Sequence, residues 1–264
     1  MKADNDGRRD EVDEFFIGYE PPMPPQLARF VATVVIVLTG AVAVWAVTLA
    51  TGHVPLEGGT FEFGHPGHFA GTILERPYPA LQLDGVEQHE GSRLILVAPG
   101  KHGANELIHG LDGRHVSLTG TRIQRGTRAM IEIEPGSIVR DDGSESRLTA
   151  AAIRAEPFTD GPITLRGEIV DSKCFLGVMV PGAGKTHKDC ASLCLRGGIP
   201  PAFYVQDRSG ESAVLLLTGP SGEPIGAQAL GIASEAVDVT GSIARQGDWL
   251  VLRTDPRTWQ PVAR

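Results

Sequence analysis

Beyond about residue 60 the chain repeats itself, in order, and this restricts it to a fold that can be built twice. The string H-F-A-G-T-I-L-E at His68–Glu75 returns as T-L-R-G-E-I-V-D at Thr164–Asp171, 96 positions later. P-A-L-Q-L at Pro79–Leu83 returns as P-A-F-Y-V at Pro201–Val205, 122 positions later, and V-S-L-T-G at Val116–Gly120 returns as V-D-V-T-G at Val237–Gly241, 121 positions later. Ordered recurrence of this kind marks a duplicated structural unit. Because the spacing grows between the first and second anchors and then holds, the second copy carries an insertion, at about residues 172–199.

Within each copy, short apolar runs such as R-L-I-L-V-A-P-G (Arg93–Gly100) and A-V-L-L-L-T-G-P (Ala213–Pro220) end in Gly/Pro turns. The order is strand, strand, strand, a short helical segment (Asn105–Leu111 or Ala227–Ala233), then a hairpin turning at Arg125-Gly126 or Gln246-Gly247. That order predicts a mainly β chain of two tandem OB-like small β-barrels, at residues 52–160 and 161–264, joined near Asp160-Gly161-Pro162. The tail bearing Trp259 is expected to fold back on the second barrel.

Ahead of the repeat, Phe30–Thr51 is 22 residues without a charge. As a helix rising 1.5 Å per residue it spans about 33 Å, enough for a bilayer core, and it is too long for the apolar part of a cleaved signal peptide. The expected partner of this segment is the lipid bilayer. Arg29 abuts it, Lys2, Arg8 and Arg9 lie further back, and the next Lys or Arg after it is Arg76. The positive-inside rule therefore predicts residues 1–29 in the cytoplasm and everything after the helix on the outer side of a bacterial inner (plasma) membrane. Within residues 1–29, Phe15-Phe16-Ile17 is a short apolar contact candidate, and Pro21-Pro22-Met23-Pro24-Pro25 reads as an extended spacer. A net charge of −8 argues against a nucleic-acid partner.

All three cysteines, Cys174, Cys190 and Cys194, fall in the insertion together with His187. Thr186 followed by Asp189 is a capping-box pattern and Gly197-Gly198 a stop, predicting a helix from about His187 to Arg196. His187, Cys190 and Cys194 then share one helix face, and Cys174, at a strand end, completes a set of three thiols and one imidazole. Four such ligands suit a tetrahedral ion: copper, zinc or iron. Lys173 and Arg196 are the residues expected to tune the charge beside this cofactor, and Met179 is a candidate additional soft ligand. Two other readings of the cysteines stand beside the metal site: a disulfide from Cys174 to one of the helical cysteines with one thiol left over, and thiol exchange at Cys190 and Cys194. G-A-G-K-T at Gly182–Thr186 lacks the upstream glycine of a phosphate loop, since Met179 stands there, so no nucleotide is expected.

The strings G-E-I-V-D-S-K-C (Gly167–Cys174) and H-K-D-C-A-S-L-C-L-R-G-G-I-P-P (His187–Pro201) resemble a block shared by uncharacterised bacterial single-pass membrane proteins, to which no established activity is attached. C-A-S-L-C also resembles the C-x3-C copper loops of the binuclear copper subunit of cytochrome oxidase and of its copper-delivery proteins. Here L-R-G-G-I-P follows the second cysteine in place of the histidine and methionine of the oxidase loop. The expectation is a membrane-anchored metal-binding accessory, assembly or electron-transfer subunit of a membrane redox complex, more an accessory than a stand-alone enzyme. A structural subunit with a stapled loop and a thiol-disulfide oxidoreductase are the alternatives.

Overall fold

The computed structural model describes residues 23–52, 58–84, 93–141 and 156–262. Phe15-Phe16-Ile17, Arg8, Arg9, Pro21 and Pro22 lie outside the described residues. Among the described residues, the first unit is helix α1 (Pro25–Gly52), apolar all round and long and apolar enough to cross a bilayer. It starts earlier than the uncharged run: Pro25 opens it, at the first-turn position where proline's missing N–H costs nothing, so the spacer expected through Pro25 stops at Pro24.

The second unit is mainly β. Strands β1 (Gly67–Leu74), β2 (Ala80–Leu83), β3 (Arg93–Ala98), β4 (His115–Arg125) and β5 (Arg128–Ile133) close a ring in the order β1-β2-β3-β5-β4-β1, all antiparallel except β3 with β5. Strands β6 (Ile163–Asp171), β7 (Pro201–Gln206), β8 (Ser212–Thr218), β9 (Ala236–Gln246) and β10 (Trp249–Thr254) close a second ring in the equivalent order. A short helix, α2 (Asn105–Ile108), precedes β4, and a 3-10 turn at Ala227–Ile232 precedes β9. The expected strand order is thus found in both copies.

The repeat extends to register. Gly71 faces Val116 as Gly167 faces Val237, Ile95 faces Met130 as Leu216 faces Val251, and Gly120 faces Ile133 as Gly241 faces Thr254. The shared glycine of the first anchor has a steric cause. A Cβ on Gly71 would lie 2.1 Å from the Gln82 carbonyl oxygen, and one on Gly167 would lie 2.3 Å from that of Tyr204. Each hairpin turns where expected, with Gly126 and Gly247 at positive φ. Trp259 is buried in the second barrel, its indole N–H donating to Thr254 Oγ1 at 3.0 Å.

Alternation along the strands fills two compartments at once. Ile73, Leu81, Leu94, Leu96 and Ile131 point into the first barrel, and Ile169, Phe203, Leu215, Leu217 and Leu252 into the second. Their sequence neighbours Leu74, Ala80, Ile95 and Met130 meet Val170, Ala202, Leu216 and Val251 in a shared core between the barrels. Those residues are equivalent in the repeat, so the two barrels pack through corresponding faces. This explains why R-L-I-L-V-A and A-V-L-L-L-T are apolar at nearly every position: both sides of each strand are covered.

Candidate metal centre

The insertion leaves β6 at Asp171 and returns at β7, and it packs against both barrels. The fully buried Asp171 accepts the Cys174 amide on Oδ1 at 2.8 Å, which turns the chain sharply out of the strand. Residues Cys174–Val178 form one wide turn, closed by the Met179 amide on the Cys174 carbonyl at 3.3 Å. Gly182 then packs on the backbone of Cys174 and Phe175, where a Cβ would come within 2.6 Å of the Cys174 oxygen. The glycines of G-A-G-K-T therefore serve close packing and a positive φ at Gly184.

A 3-10 turn (Lys185–His187) leads into helix α3 (Lys188–Arg196). The capping box does not form: Thr186 lies inside the 3-10 turn, His187 occupies the cap position, and no side chain caps the helix. The expected stop does form. The Gly197 amide donates to Leu193 O, that of Gly198 to Leu195 O, and that of Ile199 to Cys194 O, with Gly198 at φ +90°.

Cys190 and Cys194, one turn apart on α3, face Cys174. The Cys174 sulfur lies 3.8 Å from that of Cys190 and 3.9 Å from that of Cys194, and all three are free thiols. These separations exceed the ~2.05 Å of a disulfide. They match the ~3.8 Å edge of a tetrahedron drawn with metal–thiolate bonds of about 2.3 Å. His187 is buried, and its donor atom lies with those of Cys174 and Cys190 within 4.8 Å of one another. Asp171, Cys174 and Cys194 form a second group of the same tightness. The His187 Nε2 is 2.9 Å from Asp171 Oδ2, so the carboxylate orients the imidazole and leaves Nδ1 as the nitrogen open to an ion.

The charge beside the sulfurs comes from a residue the sequence reading did not select. Lys101, in the turn after β3 of the first barrel, donates from Nζ to Cys190 Sγ at 2.8 Å and lies 3.8 Å from Cys194 Sγ. Its bond to Cys190 holds its own pKa above the ordinary lysine value. The hydrogen bond from Cys174, aided by Lys101, lowers the Cys194 pKa below the usual thiol range against the effect of burial. The same bond, then burial and Asp171, pushes the Cys174 thiol up.

Lys173 and Arg196 sit elsewhere. Lys173 is buried and reaches into the first barrel, donating to the carbonyls of Ala98 at 2.8 Å and Gly100 at 2.6 Å and pairing with Glu132. Arg196 is exposed on the last turn of α3, and Met179 is exposed as well. Lys188 pairs with Glu235. Neither Lys101 nor the role of Asp171 carries a local sequence signal: Lys101 lies 89 positions from Cys190, and only the face-to-face packing of the barrels brings it to the thiols. Comparison with family models, curated proteins and solved structures gives no match.

Proposed function

We propose that this chain is a membrane-anchored metal-binding protein whose second barrel holds one ion on Cys174, Cys190, Cys194 and His187. The observation that carries the reading is the pair of sulfur separations of 3.8 and 3.9 Å around Cys174, with the buried His187 imidazole grouped with Cys174 and Cys190. The charges also suit it. Three thiolates and a divalent ion leave one negative charge, which Lys101 offsets at 2.8 Å. In this reading α1 spans the bacterial inner membrane with residues 1–29 in the cytoplasm and both barrels outside. The protein serves a membrane redox complex as an accessory, assembly or electron-transfer subunit.

The test is elemental analysis with parallel thiol counting on the full chain, extracted in detergent and purified without chelator. About one equivalent of copper, zinc or iron, lost in Cys190→Ser, is expected, and the identity of the metal separates a redox from a structural use. Metal-free protein with a Cys174 disulfide and a single free thiol would overturn the reading in favour of a stapled interaction module.

A further inference from the structure

Because the barrels meet through corresponding faces, strand positions on one side of the junction have equivalents on the other. One such pair of positions is unequal. On the insertion side, Lys173, two residues past the end of β6, is buried between the carbonyls of Ala98 and Gly100 and the carboxylate of Glu132 on β5. On the opposite side, the position equivalent to Glu132 is Arg253 on β10, and the connection leaving β1 presents Arg76 and Pro77.

A lysine facing a glutamate is thus replaced by an arginine facing an arginine. No side chain fills the space between them, which is a cavity of about 210 Å³ lined by Arg76, Pro77, Thr218, Ser221, Gln246 and Arg253. Its unsatisfied groups include donors. Thr218 is wholly buried with Oγ1 unpartnered among the described residues, and the buried Nε of Arg253 is likewise unpartnered among them. The carboxylate on the neighbouring hairpin, Glu223, is turned onto the Ser221 amide at 2.9 Å. Two arginine side chains lining an open space call for an acceptor carrying negative charge, and guanidinium forks match oxyanions.

We infer that this cavity binds a small oxyanion, such as inorganic phosphate or sulfate, which bridges Arg76 and Arg253 and takes the place that the Lys173–Glu132 pair holds on the other side of the junction. The site is independent of the cysteine cluster and of any metal there.

The test uses the full chain in detergent, with thermal unfolding and titration calorimetry in millimolar phosphate against chloride at equal ionic strength. Phosphate is expected to raise the midpoint by about 2–4 °C over chloride. Arg76→Ala, at an exposed position, and Arg253→Gln should each lose that rise and bind phosphate at least tenfold more weakly. Arg253→Glu supplies Arg76 with a carboxylate, so it should abolish the phosphate response while leaving the midpoint in chloride at or above that of the unsubstituted protein. Equal midpoints in phosphate and chloride for the unsubstituted chain would overturn the inference. So would a phosphate response that survives in Arg76→Ala and Arg253→Glu.

Discussion

Lys101 of the first barrel donates to Cys190 of the second at 2.8 Å, so the candidate metal centre is completed by a residue from outside the insertion that carries its ligands. Removing the ammonium leaves the excess negative charge of three thiolates and a divalent ion without its neighbour. Lys101→Met is expected to weaken metal binding by about 10- to 100-fold in competition with a chromophoric chelator. Lys101→Arg should recover part of the loss. Equal affinity in the methionine variant would reduce Lys101 to a simple barrel contact.

Gly197 fixes where Lys101 stands. A Cβ there would lie 1.8 Å from the Lys101 carbonyl oxygen, and the Gly103 amide donates to the Gly197 carbonyl at 2.9 Å. Gly197→Ala must push the two barrels apart at this point, costing about 1–3 kcal/mol in denaturant unfolding, and metal affinity should fall with it. Gly198→Ala is the control. Its φ of +90° makes alanine costly by about 1–2 kcal/mol, yet the nearest atom to its Cβ is 3.7 Å away. It should lose stability while keeping most of the metal affinity.

Much of the fold was legible because the duplication writes each strand twice. The V-x-[LV]-T-G strands and the 96-residue offset at Gly71 and Gly167 located the barrels and the insertion, and both hairpin turns fell at their glycines. The cysteines and His187 were legible as a group, since helix spacing places Cys190 and Cys194 together. What escaped the sequence was long-range and electrostatic. Lys173 looked like a neighbour of Cys174, but a residue adjacent in sequence leaves a strand end in another direction, and this one points into the first barrel. Thr186 and Asp189 matched a capping box, but the chain tightens into a 3-10 turn there and carries Thr186 past the cap position.

Tyr78 ties the other side of the junction and gives it a pH dependence. Its hydroxyl donates to Leu217 O at 2.6 Å and accepts the Ile225 amide at 3.0 Å, and burial raises its pKa well above the ordinary tyrosine value. A raised acid stabilises the fold fully below the unfolded value and loses that contribution as pH rises beyond it. Tyr78→Phe should cost about 1–3 kcal/mol near neutrality, because two buried backbone groups lose their partner. The difference between the two proteins should then shrink by about 1.4 kcal/mol per pH unit above 10. Denaturant unfolding at neutral pH and at about pH 11 measures both terms, and a difference that does not change with pH would show that Tyr78 is not held protonated by the fold.

Asp171 has two duties that one substitution separates. Oδ1 accepts the Cys174 amide at 2.8 Å, and Oδ2 lies 2.9 Å from His187 Nε2. Asparagine has the same shape and keeps an acceptor for the Cys174 amide, so the turn out of β6 should survive. Its amide nitrogen then faces Nε2, which must become the acceptor, and the ring proton moves to Nδ1, the nitrogen needed by an ion. Asp171→Asn is therefore expected to retain the β-rich circular dichroism of the parent while binding metal about 10- to 100-fold more weakly. Cobalt supplies a readout that a packing defect would not imitate, because its visible absorption bands differ between three sulfurs plus nitrogen and three sulfurs plus water. Asp171→Asn and His187→Ala should give the same altered spectrum, and the double variant should bind no more weakly than His187→Ala alone. Additive losses would mean that Asp171 acts on the site through Cys174 and not through the imidazole.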